Sequence, residues 1–282
     1  ILMRPRRPVF ALDYLAETIE FYERAVAQRD ATSASDEGEL AWAHNVLAGY
    51  FQAVNADHPV VAQARARFEA THANYRPESS DKVPYKRAHG TSSAARYDDL
   101  LTLAMQRRSV RWFLPRPVPR ALLDKALMVA RQSPSACNRL PYEFRIFDDP
   151  EMVAKVASIP FGAAGYGHQV PTIAVVVGRL NHYFSPRDRH VIYVDASLAA
   201  MSFMLALETL GLASSVINWP DFEPLEYKMQ KTLGLDDDER VVMLLAIGYA
   251  DPEGLVAYSE KKPLDVLRRY NDLGNGDTRA GN

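Results

Sequence analysis

The sequence predicts an α/β or α+β domain that follows a region of helices. Two apolar runs, residues 172–178 and 241–247, end at a glycine and are typical of strands buried on both faces. Between them, residues 195–210 are apolar nearly all round, which predicts a helix packed inside the protein with Asp195 as its N-cap. Strands that alternate with helices favour a layered domain containing both.

The chain before residue 97 is predicted to be helical. Apolar residues recur at steps of three and four in three segments, residues 10–29, 39–55 and 59–75. The polar run 31–38 is expected to separate the first two helices, and residues 76–94, with prolines, a glycine and serines, are expected to form a linker. We therefore expect a helical N-terminal extension with its linker over 1–96 and a second domain over 97–282.

The second domain contains further predicted elements. Helices are expected over residues 97–107 and 120–132, and a strand over 143–147, where apolar and polar residues alternate. The segment 214–220 is expected to be a strand end that finishes on a proline turn.

Composition limits the possible partners. The 282 residues include 33 Lys and Arg against 35 Asp and Glu, so the near-zero net charge provides no general attraction to nucleic acid or to an anionic membrane. Cys137 is the single cysteine, which excludes an intramolecular disulfide and favours a cytoplasmic location. No segment approaches the roughly 20 apolar residues of a membrane-spanning helix. The seven histidines show no metal-binding spacing, so no metal is expected.

A basic segment, residues 107–111, is the first candidate for chemistry. It contains Arg107, Arg108, Ser109 and Arg111. Guanidinium forks and a hydroxyl match the oxygens of a phosphate, so the segment is consistent with an anion site. A solvated helix end, favoured by the helix dipole, is equally consistent with this pattern.

Three other segments carry polar groups. The loop 133–141, here called the Pro-Ser loop, has small and polar residues between two prolines, which lets backbone amides approach a flat ligand. Asn218 and Trp219 follow a predicted strand, and Lys261 lies in a short charged run. Taken singly, these segments are more typical of a helix-to-strand turn, a strand end and a solvated surface.

Taken together and in order, these segments resemble the nitroreductase family of flavoproteins. The resemblance rests on the Arg-Arg-Ser-x-Arg run, the Pro-Ser-Ala-x-Asn loop, the buried helix from residue 195, and the last strand at 247–254 with Lys261 and Lys262 beyond it. It covers about residues 97–270 and excludes the N-terminal region.

The resemblance implies a fold and an activity. The fold would be α+β, a three-layer sandwich with a central mixed or antiparallel sheet flanked by helices. The protein would be a homodimer that binds FMN at the subunit interface. It would transfer hydride in ping-pong fashion from NAD(P)H through the flavin to a small acceptor, such as a nitro compound, a quinone or a biosynthetic intermediate. No protein acid or base is required, so no catalytic residue is named.

The resemblance also assigns residues to the cofactor. Arg107, Ser109 and Lys261 would hold the phosphate, with the backbone of Arg108 beside it, and Arg111 would lie at the N1–C2 edge of the ring. Pro134, Ser135 and Asn138 would line the ring and the ribityl chain. Asn218 and Trp219 would supply backbone or side-chain hydrogen-bond donors to N5 and O4. Arg139 would meet an anionic substrate or only the solvent, and Tyr166 and His168 are candidate substrate contacts for which surface positions are equally consistent. The alternative function is a non-enzymatic FMN-binding or scaffold protein that binds a partner through its N-terminal helices.

Overall fold

The computed structural model describes residues 5–29, 34–78, 82–87 and 93–272. The chain forms two compact units, Ile1–Ala94 (unit 1) and Ala95–Asn282 (unit 2). The helices of unit 1 are α1 (Leu12–Gln28), α2 (Ala34–Ala53) and α3 (Pro59–His72). Helix α2 begins within the polar run that was expected to interrupt the helices, because Ala, Ser and Glu are compatible with helix when the following turns pack on a core.

Unit 1 has its own hydrophobic core. Helix α1 buries Leu15, Ile19, Tyr22 and Val26, which are spaced by four, three and four residues and so share one face. This face packs with buried apolar residues of the other helices, among them Leu47, Phe51, Val61 and Phe68. Burial of each large apolar side chain contributes about 1.5–3 kcal/mol, so packing holds these helices together.

Unit 2 confirms the α+β class. Its helices are α4 (Tyr97–Gln106), α5 (Arg120–Ala130), α6 (Pro150–Ala157), α7 (Val191–Thr209), α8 (Glu223–Leu233) and α9 (Leu264–Leu267). Its strands are β1 (Tyr142–Phe147), β2 (Thr172–Arg179), β3 (Ala213–Asn218) and β4 (Glu239–Gly248). The strands form one sheet in the order β1-β2-β4-β3, and every neighbouring pair is antiparallel.

Helices cover both faces of the sheet, which gives the expected three layers. Helices α5 and α7 pack with β2 and β4 around Phe203 and Leu245, while α6 and α8 pack on the opposite face around Met229 and Leu244. Strands β2 and β4 are buried on both faces, as their continuous apolar sequence predicts.

The central helix α7 differs from its prediction at its start. It begins at Val191 with His190 as its N-cap, so Asp195 lies inside the helix and does not cap it. Nearby, a Cβ on Gly178 of β2 would lie 2.9 Å from Cβ of Ile192. The missing side chain of Gly178 therefore lets the first turn of α7 lie directly on the strand backbone.

Helix α7 also corrects an expectation about membranes. Within the described residues, the stretch Pro186–Thr209 is long and apolar enough to cross a membrane by length and composition alone. Half of its apolar window is buried inside the protein, which is the packing of a core helix. One helix of this length and composition is therefore only weak evidence for a membrane-spanning segment.

Helices α6 and α8 were not predicted, although their boundaries carry recognisable signals. The Asp149 carboxylate accepts hydrogen bonds from the backbone amides of Glu151 and Met152, and Pro150 occupies the first turn of α6. Helix α8 ends at Gly234, whose φ of 63° is the left-handed conformation of a helix C-terminus.

We predict that Gly248→Ala destabilises unit 2 by about 1–3 kcal/mol, because the new methyl group would be overpacked. Its Cβ would lie 2.7 Å from Cγ of Pro171 and 2.8 Å from Cδ1 of Phe113. The matched control is Gly165→Ala, whose Cβ would meet nothing within 4 Å. Urea denaturation of both variants measures the difference, and equal midpoints would contradict the prediction.

Candidate functional site

The basic segment lies along the outer edge of β3. The backbone N–H of Val110 donates to the carbonyl of Ser214 at 3.1 Å, and Ser109 forms a parallel bridge with Ser214. Just beyond the segment, the N–H of Asp251 donates to the carbonyl of Trp112 at 3.0 Å. The backbone that carries the arginines is therefore held between the start of β3 and the residues that follow β4.

Gln169 fixes the end of the basic segment. Its Oε1 accepts a hydrogen bond from the N–H of Phe113 at 2.9 Å, and its Nε2 donates to the carbonyl of Arg111. One side-chain amide thus satisfies two backbone groups, which holds Arg111 in place. The sequence did not indicate this role, because Gln169 lies in a glycine-rich segment far along the chain.

The cations of the basic segment lack acidic partners. In the part of the chain that the structure describes, no carboxylate pairs with Arg107, Arg108 or Arg111; Arg108 donates only to the carbonyl of Arg107, at 2.9 Å. Arg107 and Arg108 are half-buried, and Arg111 is exposed. Uncompensated guanidiniums on a fixed backbone suit an anion, which is one of the two interpretations that the sequence leaves open.

The ring of Tyr166 lies next to the guanidinium of Arg111. The guanidinium carbon of Arg111 lies 5.9 Å from the centre of the Tyr166 ring, and the ring is buried in the core beneath the sheet. Tyr166 was a candidate substrate contact or surface residue; the structure buries its side chain in the core, next to Arg111. His168, the neighbouring candidate, is exposed.

The Pro-Ser loop has an unusual backbone. Three of its non-glycine residues adopt positive φ, namely Cys137 at 54°, Asn138 at 54° and Leu140 at 46°. Such conformations are unfavourable for residues with a side chain, so surrounding contacts must hold them. One of these contacts is local: the hydroxyl of Ser135 accepts a hydrogen bond from the N–H of Leu140 at 3.0 Å.

Asp195 anchors the same loop to α7. Its buried carboxylate accepts from the backbone N–H of Ala136 at 2.9 Å and from the hydroxyl of Tyr183 at 2.6 Å. Burial and the hydrogen bond to Asp195 raise the pKa of Tyr183, so its hydroxyl keeps the proton that it donates. No pattern in the sequence indicates the role of Tyr183, and Asp195 was predicted to be a helix cap.

Arg139 belongs to this network. Its Nη1 donates to the carbonyl of His182 at 2.6 Å, and its guanidinium lies 5.8 Å from the centre of the Tyr183 ring. Arg139, for which contact with substrate or with solvent was left open, therefore joins the Pro-Ser loop to the segment before α7.

The end of β3 presents an open surface. Val216 and Asn218 are exposed, and they point to the same face as Ser214, towards α5 and α7, because side chains alternate along a strand. Trp219 follows, but its indole is buried on the opposite side and its Nε1 donates to Glu226. The indole is therefore unavailable to a ligand. Of the backbone and side-chain donors that the resemblance implies at this position, Trp219 retains only its backbone amide.

Lys261 lies in the exposed stretch that follows Gly254. Among the described residues its ammonium group has no hydrogen bond and no acidic partner. Its charge is therefore available to an anion, and its role at the phosphate stays a prediction.

Helix α7 separates two halves of the predicted site. Gln106, next to the basic segment, donates to Glu208 near the end of α7 at 3.0 Å. The Pro-Ser loop contacts Asp195 near the start of the helix. At 1.5 Å per residue, these two contacts are about 20 Å apart along α7.

The α+β sandwich and its candidate anion site define the class of protein, and comparison with known proteins agrees with it. The sequence model of the nitroreductase family matches residues 104–164 and 159–249. The chain therefore belongs to the nitroreductase family, whose name and named relatives describe oxidoreductases.

Two relatives illustrate the range of the family. Human iodotyrosine deiodinase 1 is 23% identical over 220 residues, which cover 67% of this chain and 75% of that protein. An NADH dehydrogenase of Thermus thermophilus is 26% identical over 198 residues, covering 59% of this chain and 93% of that protein.

A solved structure agrees in fold. The FMN-dependent nitroreductase of Clostridium difficile R20291 superimposes with a TM-score of 0.53 at 23% identity, covering 61% of this chain and 98% of that one.

We predict that Tyr183→Phe destabilises unit 2 by about 1.5–3 kcal/mol, because the buried Asp195 carboxylate loses a charge-assisted hydrogen bond. The control is Tyr227→Phe, since the exposed Tyr227 hydroxyl has no hydrogen-bond partner among the described residues. Urea denaturation compares the two, and a control that loses as much stability would refute the role of Asp195.

Proposed function

We propose that this protein is an FMN-dependent oxidoreductase that takes electrons from NAD(P)H and passes them to a small acceptor, such as a nitro compound, a quinone or a biosynthetic intermediate. The observation that carries the proposal is the basic segment, with unpaired Arg107 and Arg111 beside Ser109, fixed along an open edge strand. Relatives named as an NADH dehydrogenase and as an FMN-dependent nitroreductase support it.

The basic segment fits the phosphate of FMN. A phosphate carries about two negative charges, and its removal from water is costly unless several charge-assisted hydrogen bonds replace those to water. Arg107 would supply a guanidinium fork, Ser109 a hydroxyl and Arg108 a backbone amide. Lys261 would add a further cation from the exposed stretch that carries it, in its own protomer or in a second copy.

The neighbouring surface fits the ring. FMN, when bound, supplies two-electron chemistry, accepting a hydride from a nicotinamide and releasing the electrons to the acceptor. Arg111, held by Gln169 and Tyr166, would place a fixed positive charge at the ring edge and so favour negative charge there. The Asn218 amide and the Trp219 backbone N–H would donate hydrogen bonds to the ring. Pro134, Ser135 and Asn138 would enclose the ring and the ribityl chain.

Two observations support a homodimer with a shared site. The Pro-Ser loop and the basic segment meet α7 about 20 Å apart, so one protomer holds them separately. Helix α7 also leaves an apolar stripe exposed, in which Val194, Leu198 and Met201 are 51%, 42% and 41% exposed. Such a stripe is typical of a protein interface. A second copy packed on this stripe would bring its Pro-Ser loop to the basic segment of the first.

FMN titration tests the cofactor. We expect the full chain to bind FMN with absorbance near ~450 nm, and Arg107→Ala to weaken binding by about 10- to 100-fold, since it removes charge-assisted bonds of about 1.5–3 kcal/mol. The control Arg24→Ala lies on α1, where Arg24 pairs with Glu20, and should bind FMN normally. A chain that never binds FMN, or an Arg107 variant that binds as tightly as the control, would sink the proposal.

Turnover separates the enzyme from the scaffold alternative. We expect FMN-loaded protein to oxidise NADH or NADPH in the presence of a quinone or a nitro compound. Arg111→Ala should keep most FMN binding and lose turnover at least tenfold, because the fixed charge acts on the ring and not on the phosphate. Bound FMN with no oxidation of either nicotinamide would favour the scaffold.

Subunit complementation tests the shared site. One inactive variant carries Arg107→Ala with Arg111→Ala, and the other carries Asn138→Glu in the Pro-Ser loop. If each site combines the two subunits, mixed dimers contain one intact site and recover about half of the FMN of the parent dimer. If each site lies within one protomer, mixed dimers recover none; differently tagged copies allow their isolation.

A further inference from the structure

Unit 1 contains a polar cavity that the proposed function does not use. It lies beside α2 and the C-terminal end of α3 and has a volume of about 450 Å³. The polar side chains that line it are His44, Asn45, Gln52, His72 and Arg76. We propose that this cavity binds a small organic molecule through a carboxylate group.

His44 presents a hydrogen-bond donor to the cavity. It is 4% exposed, and its Nδ1 lies 2.6 Å from the hydroxyl of Tyr22. The Tyr22 hydroxyl is buried and has no other acceptor in the described part of unit 1, so it donates to Nδ1. A neutral imidazole that accepts at Nδ1 carries its proton on Nε2.

The charge states of this pair agree with that assignment. Burial raises the pKa of Tyr22, so its hydroxyl stays protonated. Burial and the nearby His72 lower the pKa of His44, so its ring stays neutral near pH 7. Nε2–H of His44 is therefore a fixed donor, and among the described residues it has no acceptor.

A second buried group in the cavity wall lacks a partner. The ring of His72 stacks on that of His44, with centroids 4.8 Å apart, and Nδ1 of His72 is buried without a hydrogen bond. Buried polar atoms of proteins are nearly always hydrogen-bonded, so the unpartnered Nδ1 of His72 beside the free Nε2–H of His44 indicates that a polar ligand binds at this cavity.

The charge of the cavity selects an anion. Arg76 is exposed at the cavity and has no acidic partner among the described residues, and no acidic residue lines the cavity. One guanidinium with the neutral imidazole of His44 and the amide of Gln52 matches the single charge and two oxygens of a carboxylate. A phosphate with about two charges would need more cations to leave water.

Calorimetry on the full chain tests the proposal with benzoate, succinate and citrate as probes. Benzamide is the uncharged counterpart of benzoate, and inorganic phosphate tests the alternative anion. We expect saturable binding of at least one carboxylate, with benzamide and phosphate binding at least tenfold more weakly. Failure of all three carboxylates at millimolar concentration, or equal binding of benzamide, would overturn the proposal.

Variants locate the binding. Arg76→Ala should weaken the bound carboxylate at least tenfold, whereas the control Arg65→Ala, which breaks an exposed pair with Glu69 on α3, should leave it unchanged. His44→Phe should abolish binding while keeping the ring packing; if that variant does not fold, Arg76→Ala decides alone. FMN binding should be the same in all of them, and equal carboxylate binding by Arg76→Ala and the control would refute the site.

Discussion

The antiparallel pairing of β2 with β4 determines where everything else in unit 2 lies. Both strands are buried on their two faces, so each face needs its own layer of helices, and α5 with α7 and α6 with α8 supply them. Strand β3 then pairs only with β4 within the sheet, which leaves its outer edge for the basic segment. The candidate site lies at this edge because the basic segment pairs with β3 there.

The candidate site combines a backbone fixed by hydrogen bonds with basic side chains that have no acidic partner among the described residues. Gln169 forms hydrogen bonds with main-chain groups at the end of the basic segment, and Asp195 accepts one from a main-chain amide of the Pro-Ser loop. Among the described residues, no carboxylate pairs with the guanidinium of Arg107 or Arg111, so their positive charge stays available to a ligand. A ligand that meets such groups loses little free energy to ordering the protein, because the backbone is already in position.

The sequence predicts the fold further than it predicts the site. Patterns of a few residues predict the buried strands and the amphipathic helices, and these elements occur as expected. The run of arginines is visible directly in the sequence. Gln169 and Asp195 act on backbone atoms 58 and 59 residues away in the chain, and no local pattern carries such a contact. Trp219 is the opposite case, in which a local pattern suggests a contact that the side chain does not make. Its position after a strand suggested a ligand contact, but its indole faces the core and donates to Glu226.

The seating of α7 on Gly178 has a geometric consequence. The helix lies directly on the strand backbone, and this contact opposes a shift of α7 along β2. Asp195 near the start of α7 and Glu208 near its end are therefore fixed both in their distance and in their angle about the helix axis. One extra residue between them would turn one end by about 100° relative to the other. The Pro-Ser loop and the basic segment would then face different directions, although every side chain in each of them were unchanged.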